Sequence, residues 1–280
     1  MSEQTHTLAD LRRVAEELWP VATAEPWDRV GLVSGRDTDP LRRVLLAVDA
    51  VDATIDEAIS TGADVLLTHH PLLLRGVHSV AEDTAKGALL AKLIRAGCGL
   101  LAAHTNADIP AHGVSDVIAA RLGLEAALPI VPSERVSDPS VGLGRVGSLT
   151  APITLEALAS QLADALPPTV SGVRVAGDPD RSVQRIALCG GAGDSLLDHP
   201  LVRGADVYVT SDLRHHPAQE SLEQSIVGGG PALIDVSHWA SESLWLDGAA
   251  ECLSAALPGI EVTVSRTRTD PWTFTRGVAR

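Results

Sequence analysis

One short repeat constrains this chain more than any other feature: Gly62-Ala63-Asp64-Val65 with Thr68 returns as Gly204-Ala205-Asp206-Val207 with Thr210. Each copy lies nineteen residues after the start of an Arg-led apolar run, at Arg43 or at Arg185. Beyond each copy come a helical pattern, a further apolar run, and a histidine followed four residues later by an acid: His104 and Asp108, then His238 and Glu242. Short apolar runs between turn signals read as strands buried on both faces, and their alternation with helices favours a mostly parallel sheet. Self-similarity at this length reads as duplication. The expected fold class is therefore α/β, with two similar, duplicated halves built on mostly parallel or mixed sheets.

In the first half, residues 43–48, 64–68 and 99–103 read as strands, and 53–61 and 113–122 as helices. Leu8, Leu11, Ala15 and Leu18 recur at helical spacing behind Thr7, an N-cap with Asp10 three residues on. A further helix carries Leu89, Leu90, Leu93 and Ile94 behind Asp83 as cap and stops at Gly97. Residues 27–35 read as a loop. Between 124 and 144 the periodicity lapses and Pro129, Pro132 and Pro139 accumulate, which marks a connection. Leu155, Leu158, Leu162 and Leu166 then open a new helix, ended by Pro167. The expected halves are 1–128, with 243–280 packing back on it, and 129–242.

The net charge of −14 opposes a phosphate backbone, and no window collects a basic stripe, so nucleic acid is a poor partner. Cys98, Cys189 and Cys252 are odd in number and far apart, which suits buried free thiols in a reducing compartment. With neither a secretory signal pattern nor a membrane-length apolar run, the expected location is the cytoplasm, with no membrane partner.

Ligands in α/β sheets collect where strands end at their carboxyl side. His69 and His70 sit at such an end, stopped by Pro71; His104 with Asp108 and His238 with Glu242 follow two others. Imidazole with carboxylate suits Zn, Fe, Mn, Ni or Co better than Ca or Mg. Adjacent residues of an extended chain point to opposite sides, so His69 and His70 are expected to serve two metals rather than one. The candidate donors are His69, His70, His104, Asp108, His238 and Glu242, and two divalent transition metal ions are expected in the crevice between the halves. Candidate catalytic residues are Asp28, His104 and His216, the last in the stretch with Asp212 and His215 that corresponds to the His69–His70 position. Gly190-Gly191-Ala192-Gly193 lacks a Walker lysine and reads as a tight turn near the site.

The segments WDRVGLVSG, LLTHHPLL, HTNAD, GRVGSL, DVYVTSDLRHH and DVSHWASE, in this order, resemble the Nif-three-like family, usually labelled GTP cyclohydrolase 1 type 2 homologues. The resemblance spans nearly the whole chain. It implies a dinuclear metal site with His69, His70, Asp108, His238 and Glu242 as ligands, two similar α/β halves, and a homohexameric ring. The chain departs from the pattern at Arg29, where the family often has Asn, and at Ser211, often Gly. The expected function is that of a metal-dependent hydrolase that activates water against a small-molecule substrate such as a nucleotide or cyclic amide. The alternative is a non-catalytic metal-binding regulatory or interaction protein.

Overall fold

A computed structural model describes residues 5–277, so positions 1–4 and 278–280 of the expected halves lie outside the described residues. The chain divides into two compact units: one runs to Pro110 and includes Trp245–Thr269, and the other comprises Ala111–Leu244 and the segment from Asp270 onward.

The first unit is built on a five-stranded sheet in the order Glu261–Val264, Arg43–Ala47, Val65–Thr68, Gly99–Ala102, Gly31–Ser34. The first four strands are parallel and the last is antiparallel. Leu45, Leu66 and Leu100 meet Ile55, Ala58 and Leu93 in its core; full burial of each large side chain contributes roughly 1.5–3 kcal/mol. The strand Gly31–Ser34 corrects the reading of 27–35 as a loop. It is a half-buried edge between Gly31 and Gly35, both at positive φ, so neither a long apolar run nor clean alternation announces it. The helix Leu8–Leu18 opens as expected, with the Asp10 carboxylate accepting the Thr7 N–H at 2.9 Å. The helix Ala85–Ala96 is capped by Thr84, whose hydroxyl accepts the Gly87 N–H, and not by Asp83. On it Leu93 is buried while Ile94 turns to solvent.

The second unit holds six strands in the order Arg174–Ala176, Ala232–Val236, Val207–Ser211, Ser182–Ala192, Arg145–Thr154, Glu125–Leu128. The central three are parallel, and antiparallel strands extend them on both sides. Its core gathers Ile130, Val146, Ala187, Tyr208 and Leu233. Segment 111–128, placed in the first half by the sequence, packs here instead. Glu125–Leu128 pairs with Arg145–Thr154, and the buried Arg145 guanidinium donates to Asp116 of the helix Val114–Arg121.

The repeat has a structural meaning. In the first unit the Asp64 carboxylate accepts the N–H groups of Arg42 and Arg43 at 2.7 and 2.9 Å, while its own N–H donates to the Arg43 carbonyl. In the second unit Asp206 does the same with Gln184 and Arg185, at 2.9 and 2.8 Å. Each Asp thus fixes where two parallel strands begin relative to one another, and a one-residue slip would turn every side chain to the other face.

Cys98 and Cys189 are buried as expected, and burial pushes the Cys98 thiol up to about 11. Cys252 departs from expectation: it lies on the outer side of the helix Trp245–Ala256 and is exposed, whereas Leu253 points inward. Among the described residues no helix is long and apolar enough to cross a membrane.

Candidate metal centre

In the first unit, parallel pairing sets Ala47 beside Thr68 and Thr68 beside Ala102. Two residues past each of these positions stand Asp49, His70 and His104, so the register itself gathers them at the carboxyl edge of the sheet. Backbone bonds carry the ladder onward, the His69 and His70 N–H groups donating to Ala47 and Val48 carbonyls at 3.0 and 2.8 Å. His69, His70 and His104 each offer a ligand atom within 4.8 Å of the others. The two adjacent imidazoles therefore do not diverge as an ideal strand would require. Regular strand geometry ends at Thr68, and the chain bends through 69–70 ahead of Pro71, which turns both rings to one place.

Each ring is held by its Nδ1 atom. His69 Nδ1 lies 2.9 Å from the Ala103 carbonyl, His70 Nδ1 2.7 Å from Asp49 Oδ1, and His104 Nδ1 2.9 Å from Asp28 Oδ1. A carbonyl only accepts, so the neutral His69 ring carries its hydrogen on Nδ1 and its lone pair on Nε2. That Nε2 faces Asp108 Oδ1 at 3.6 Å. Trp245, almost wholly buried, backs the His69 ring at a centroid distance of 5.4 Å.

Asp28 does not face open space. Burial alone would raise its pKa, but hydrogen bonds from the His104 ring and the Thr105 hydroxyl, the charge attraction of His104, and the Thr105 N–H outweigh burial. Together they hold the carboxyl far below the usual carboxylate range. Expected among the catalytic groups, Asp28 lies here as a buried carboxylate bound to the His104 ring and to Thr105. Asp49, which the sequence reading missed, is bound likewise to the His70 ring, and its second oxygen accepts the Thr269 hydroxyl.

In the second unit, His238 and Glu242 lie one turn apart on the helix His238–Ser243, so their side chains share a face. The Ser237 hydroxyl caps this helix by accepting the Ala240 N–H. His238 Nδ1 lies 2.7 Å from Asp212 Oδ2, and Nε2 lies 2.9 Å from Glu242 Oε1. The His238 hydrogen bond, aided by its charge and opposed by burial, lowers the Asp212 pKa. With Nδ1–H donated to an ionised Asp212, Nε2 presents its lone pair to the buried Glu242 carboxylate. For a neutral ring that contact is favourable only with a proton or a metal cation between the two. His69 and Asp108 pose the same condition in the first unit, and imidazole plus carboxylate is a donor set that divalent transition metals satisfy.

The glycine run at 190–193 ends the strand Ser182–Ala192 and begins the turn after it. Gly191 stands at φ +67°, where a Cβ would fall 2.5 Å from Glu242 Oε1 and 3.3 Å from His238 Nε2. Only a residue without a side chain fits beside this pair. Ser211, where the chain departs from the family pattern, is fully buried with no hydrogen-bond partner for its hydroxyl among the described residues. His216 is exposed on the first turn of the helix His215–Gly228, its ring 5.1 Å from that of His215. It is not among the grouped donors of the described residues.

A family profile described as Duf34/NIF3 (NGG1p interacting factor 3) matches residues 6–271. A Streptomyces coelicolor protein named GTP cyclohydrolase 1 type 2 homolog is 44% identical over 270 residues, covering 95% of this chain and 93% of the relative. A Mycobacterium tuberculosis protein of the same name is 36% identical, with 98% of each chain covered. That alignment runs over 381 positions, so the relative carries segments that this chain lacks. Among solved structures, a Staphylococcus aureus protein superposes with a TM-score of 0.84 at 28% identity, over 96% of this chain and 99% of that one. A Bacillus cereus protein related to NIF3 superposes at 0.89 with 22% identity, covering 98% and 100%, and shares the fold.

Proposed function

The chain belongs to the Duf34/NIF3 family, and from that membership and the donor geometry we propose that it is a metal-dependent hydrolase. It binds two divalent transition metal ions per chain, with His69, His70, Asp108, His238 and Glu242 as ligands. His104, expected at first as a catalytic group, joins the donors because it lies with His69 and His70. One observation carries this reading. In each unit an imidazole turns Nε2 toward a carboxylate, Asp108 or Glu242, while its Nδ1 is taken by a carbonyl or an Asp.

When bound, such ions supply Lewis acidity toward a carbonyl or phosphoryl oxygen and lower the pKa of water toward neutrality. The chain's own groups do the rest. Asp28, Asp49 and Asp212, with the Ala103 carbonyl, keep hydrogen on Nδ1 of the four rings and so present Nε2 as the donor atom. Asp28 stays ionised through the neutral range and holds the His104 ring in one orientation. Gly191 leaves room for the Glu242 carboxylate.

Elemental analysis of wild type, Asp108→Ala and Glu242→Ala, dialysed identically near neutral pH, tests the scheme. Two metals should fall toward none in the first variant and toward one in the second. A hydrolysis screen over nucleotides, phosphoesters and cyclic amides accompanies it. A wild type that holds no transition metal under any loading condition, or variants that both keep two, would overturn the reading.

A further inference from the structure

The chain has only five Trp, one Tyr and one Phe, and three of the tryptophans are put to unlike uses in the first unit. Trp19 and Trp245 pack against each other inside, their rings 5.1 Å apart. Trp27 instead leaves 55% of its surface in solvent. It does so beside the donor cluster: its ring centroid is 5.8 Å from that of His104, at an interplanar angle of 77°.

The loop carrying Trp27 is bolted down. The Asp28 N–H closes a turn onto the Glu25 carbonyl, and the Glu25 N–H donates to the Thr105 hydroxyl. That hydroxyl and the Thr105 N–H both donate to Asp28, while the Arg29 guanidinium donates to the Asp28 carbonyl. The same Asp28 carboxylate orients His104. One hydrogen-bonded unit thus fixes the backbone that carries the exposed indole relative to the His104 imidazole. An exposed indole on a held backbone forgoes the stabilisation that burying a ring brings, and, with only two side-chain torsions, offers a large apolar surface at little conformational entropy loss on binding.

We propose that Trp27 is a stacking platform for the substrate, and that the substrate is a planar heteroaromatic compound whose ring lies on the indole while its reacting group faces the imidazole cluster. A saturated ring has no π-face to offer the indole, so flat and puckered lactams are told apart here. The proposal rests on the hydrolase reading only for what happens at the imidazoles; the stacking contact itself needs no metal.

Two compounds that share a lactam N–H and C=O serve as probes: hypoxanthine, which is planar and aromatic and carries further ring nitrogens, and 2-piperidone, which is saturated. The loss on Trp27→Ala for each probe isolates the stacking contact from those extra groups. Their affinities are measured by calorimetry on wild type, Trp27→Phe and Trp27→Ala, each in metal-loaded and metal-free form. Base-on-aromatic stacking lost to alanine weakens binding by about ten- to a hundredfold. Wild type should bind hypoxanthine more tightly than 2-piperidone; Trp27→Ala should lose about tenfold or more toward hypoxanthine alone, and Trp27→Phe should retain most of the affinity. Metal content should be the same in all three proteins. Equal affinity for the two probes, or wild-type hypoxanthine affinity in Trp27→Ala, overturns the proposal. So does a change of molecular mass by light scattering without a change in affinity, which makes Trp27 a contact between copies. Metal absent from wild type with the stacking preference intact would overturn the hydrolase reading and leave this one standing.

Discussion

Gly191→Ala separates the metal-site reading from simple destabilisation, because Gly191 contributes no ligand atom. Two effects are expected. At φ +67° an L-residue is strained, by roughly 1–2 kcal/mol. In addition the new Cβ would sit 2.5 Å from Glu242 Oε1 and 3.3 Å from His238 Nε2, inside any normal contact distance. Glu242 is nearly fully buried, on a helix capped by Ser237, so its carboxylate can yield only by swinging off the His238 ring. Displacing a group that positions a ligand commonly lowers metal affinity by about 10- to 100-fold; displacing the ligand itself should do no less. Gly123 is the control, since it lies in the same unit at φ +68° and a Cβ there would meet nothing within 4 Å. Gly123→Ala should therefore show the strain alone. Thermal unfolding measures the first effect and competition against a fluorescent zinc chelator the second. Both variants should lose the stability that the strain costs, Gly191→Ala losing more because of the clash, while only Gly191→Ala should lose zinc affinity. Wild-type zinc affinity in Gly191→Ala, or equal losses in both variants, would refute the placement of Glu242 as a ligand.

Three further outcomes are expected. Asp28→Asn should lose about 1–3 kcal/mol of stability near neutral pH, because a buried charged acceptor is replaced. Asp28 has a depressed pKa when folded, so its contribution is present above the unfolded carboxylate value near 4 and is lost as pH falls through the lower folded value; the stability difference between wild type and Asp28→Asn should shrink over that acidic range in unfolding measurements. His216→Ala should keep its metals and lose most of any hydrolysis, since the residue lies outside the grouped donors; stoichiometric metal loss by elemental analysis would reassign it as a ligand. Light scattering should give a mass above that of a dimer, the hexamer implied by family resemblance, and a monomer at micromolar concentration would remove the ring.

What the sequence makes legible follows from what each segment must bury. The strands Arg43–Ala47, Val65–Thr68 and Ala232–Val236 are covered on both faces, so nearly every position is apolar and each stands out as an uninterrupted run. Arg145–Thr154 and Arg174–Ala176 are partly exposed antiparallel additions, and their mixed residues carry neither a run nor an alternation. The donors are legible for a related reason. A histidine at the end of a buried strand breaks an apolar pattern abruptly; two such breaks fall at the carboxyl edge of the first unit's sheet and one at that of the second.

Their supporting groups leave a weaker signal, yet one of them is within reach. Asp49 looks like an ordinary loop acid until Ala47 is placed beside Thr68, which brings it against His70 two residues further on. The second unit repeats the arrangement with a change of element: Ser211 pairs with Val236, and just beyond them Asp212 meets His238. Here the acid stands at φ +57° and the imidazole is the first residue of a helix rather than part of an extended end. The duplicated Asp64 and Asp206 set both registers from the far end of the strands. A strand slipped by one residue would separate Asp49 from His70 as surely as it would expose the core. Asp206→Ala tests that link at a distance, because it removes two hydrogen bonds at the amino end of the strand yet touches no donor. If register at the amino end governs ring placement at the carboxyl end, this variant should lose stability together with metal affinity. Loss of stability alone, with zinc affinity unchanged in the folded fraction, would show that the carboxyl edge is held by its own contacts and not by the repeat.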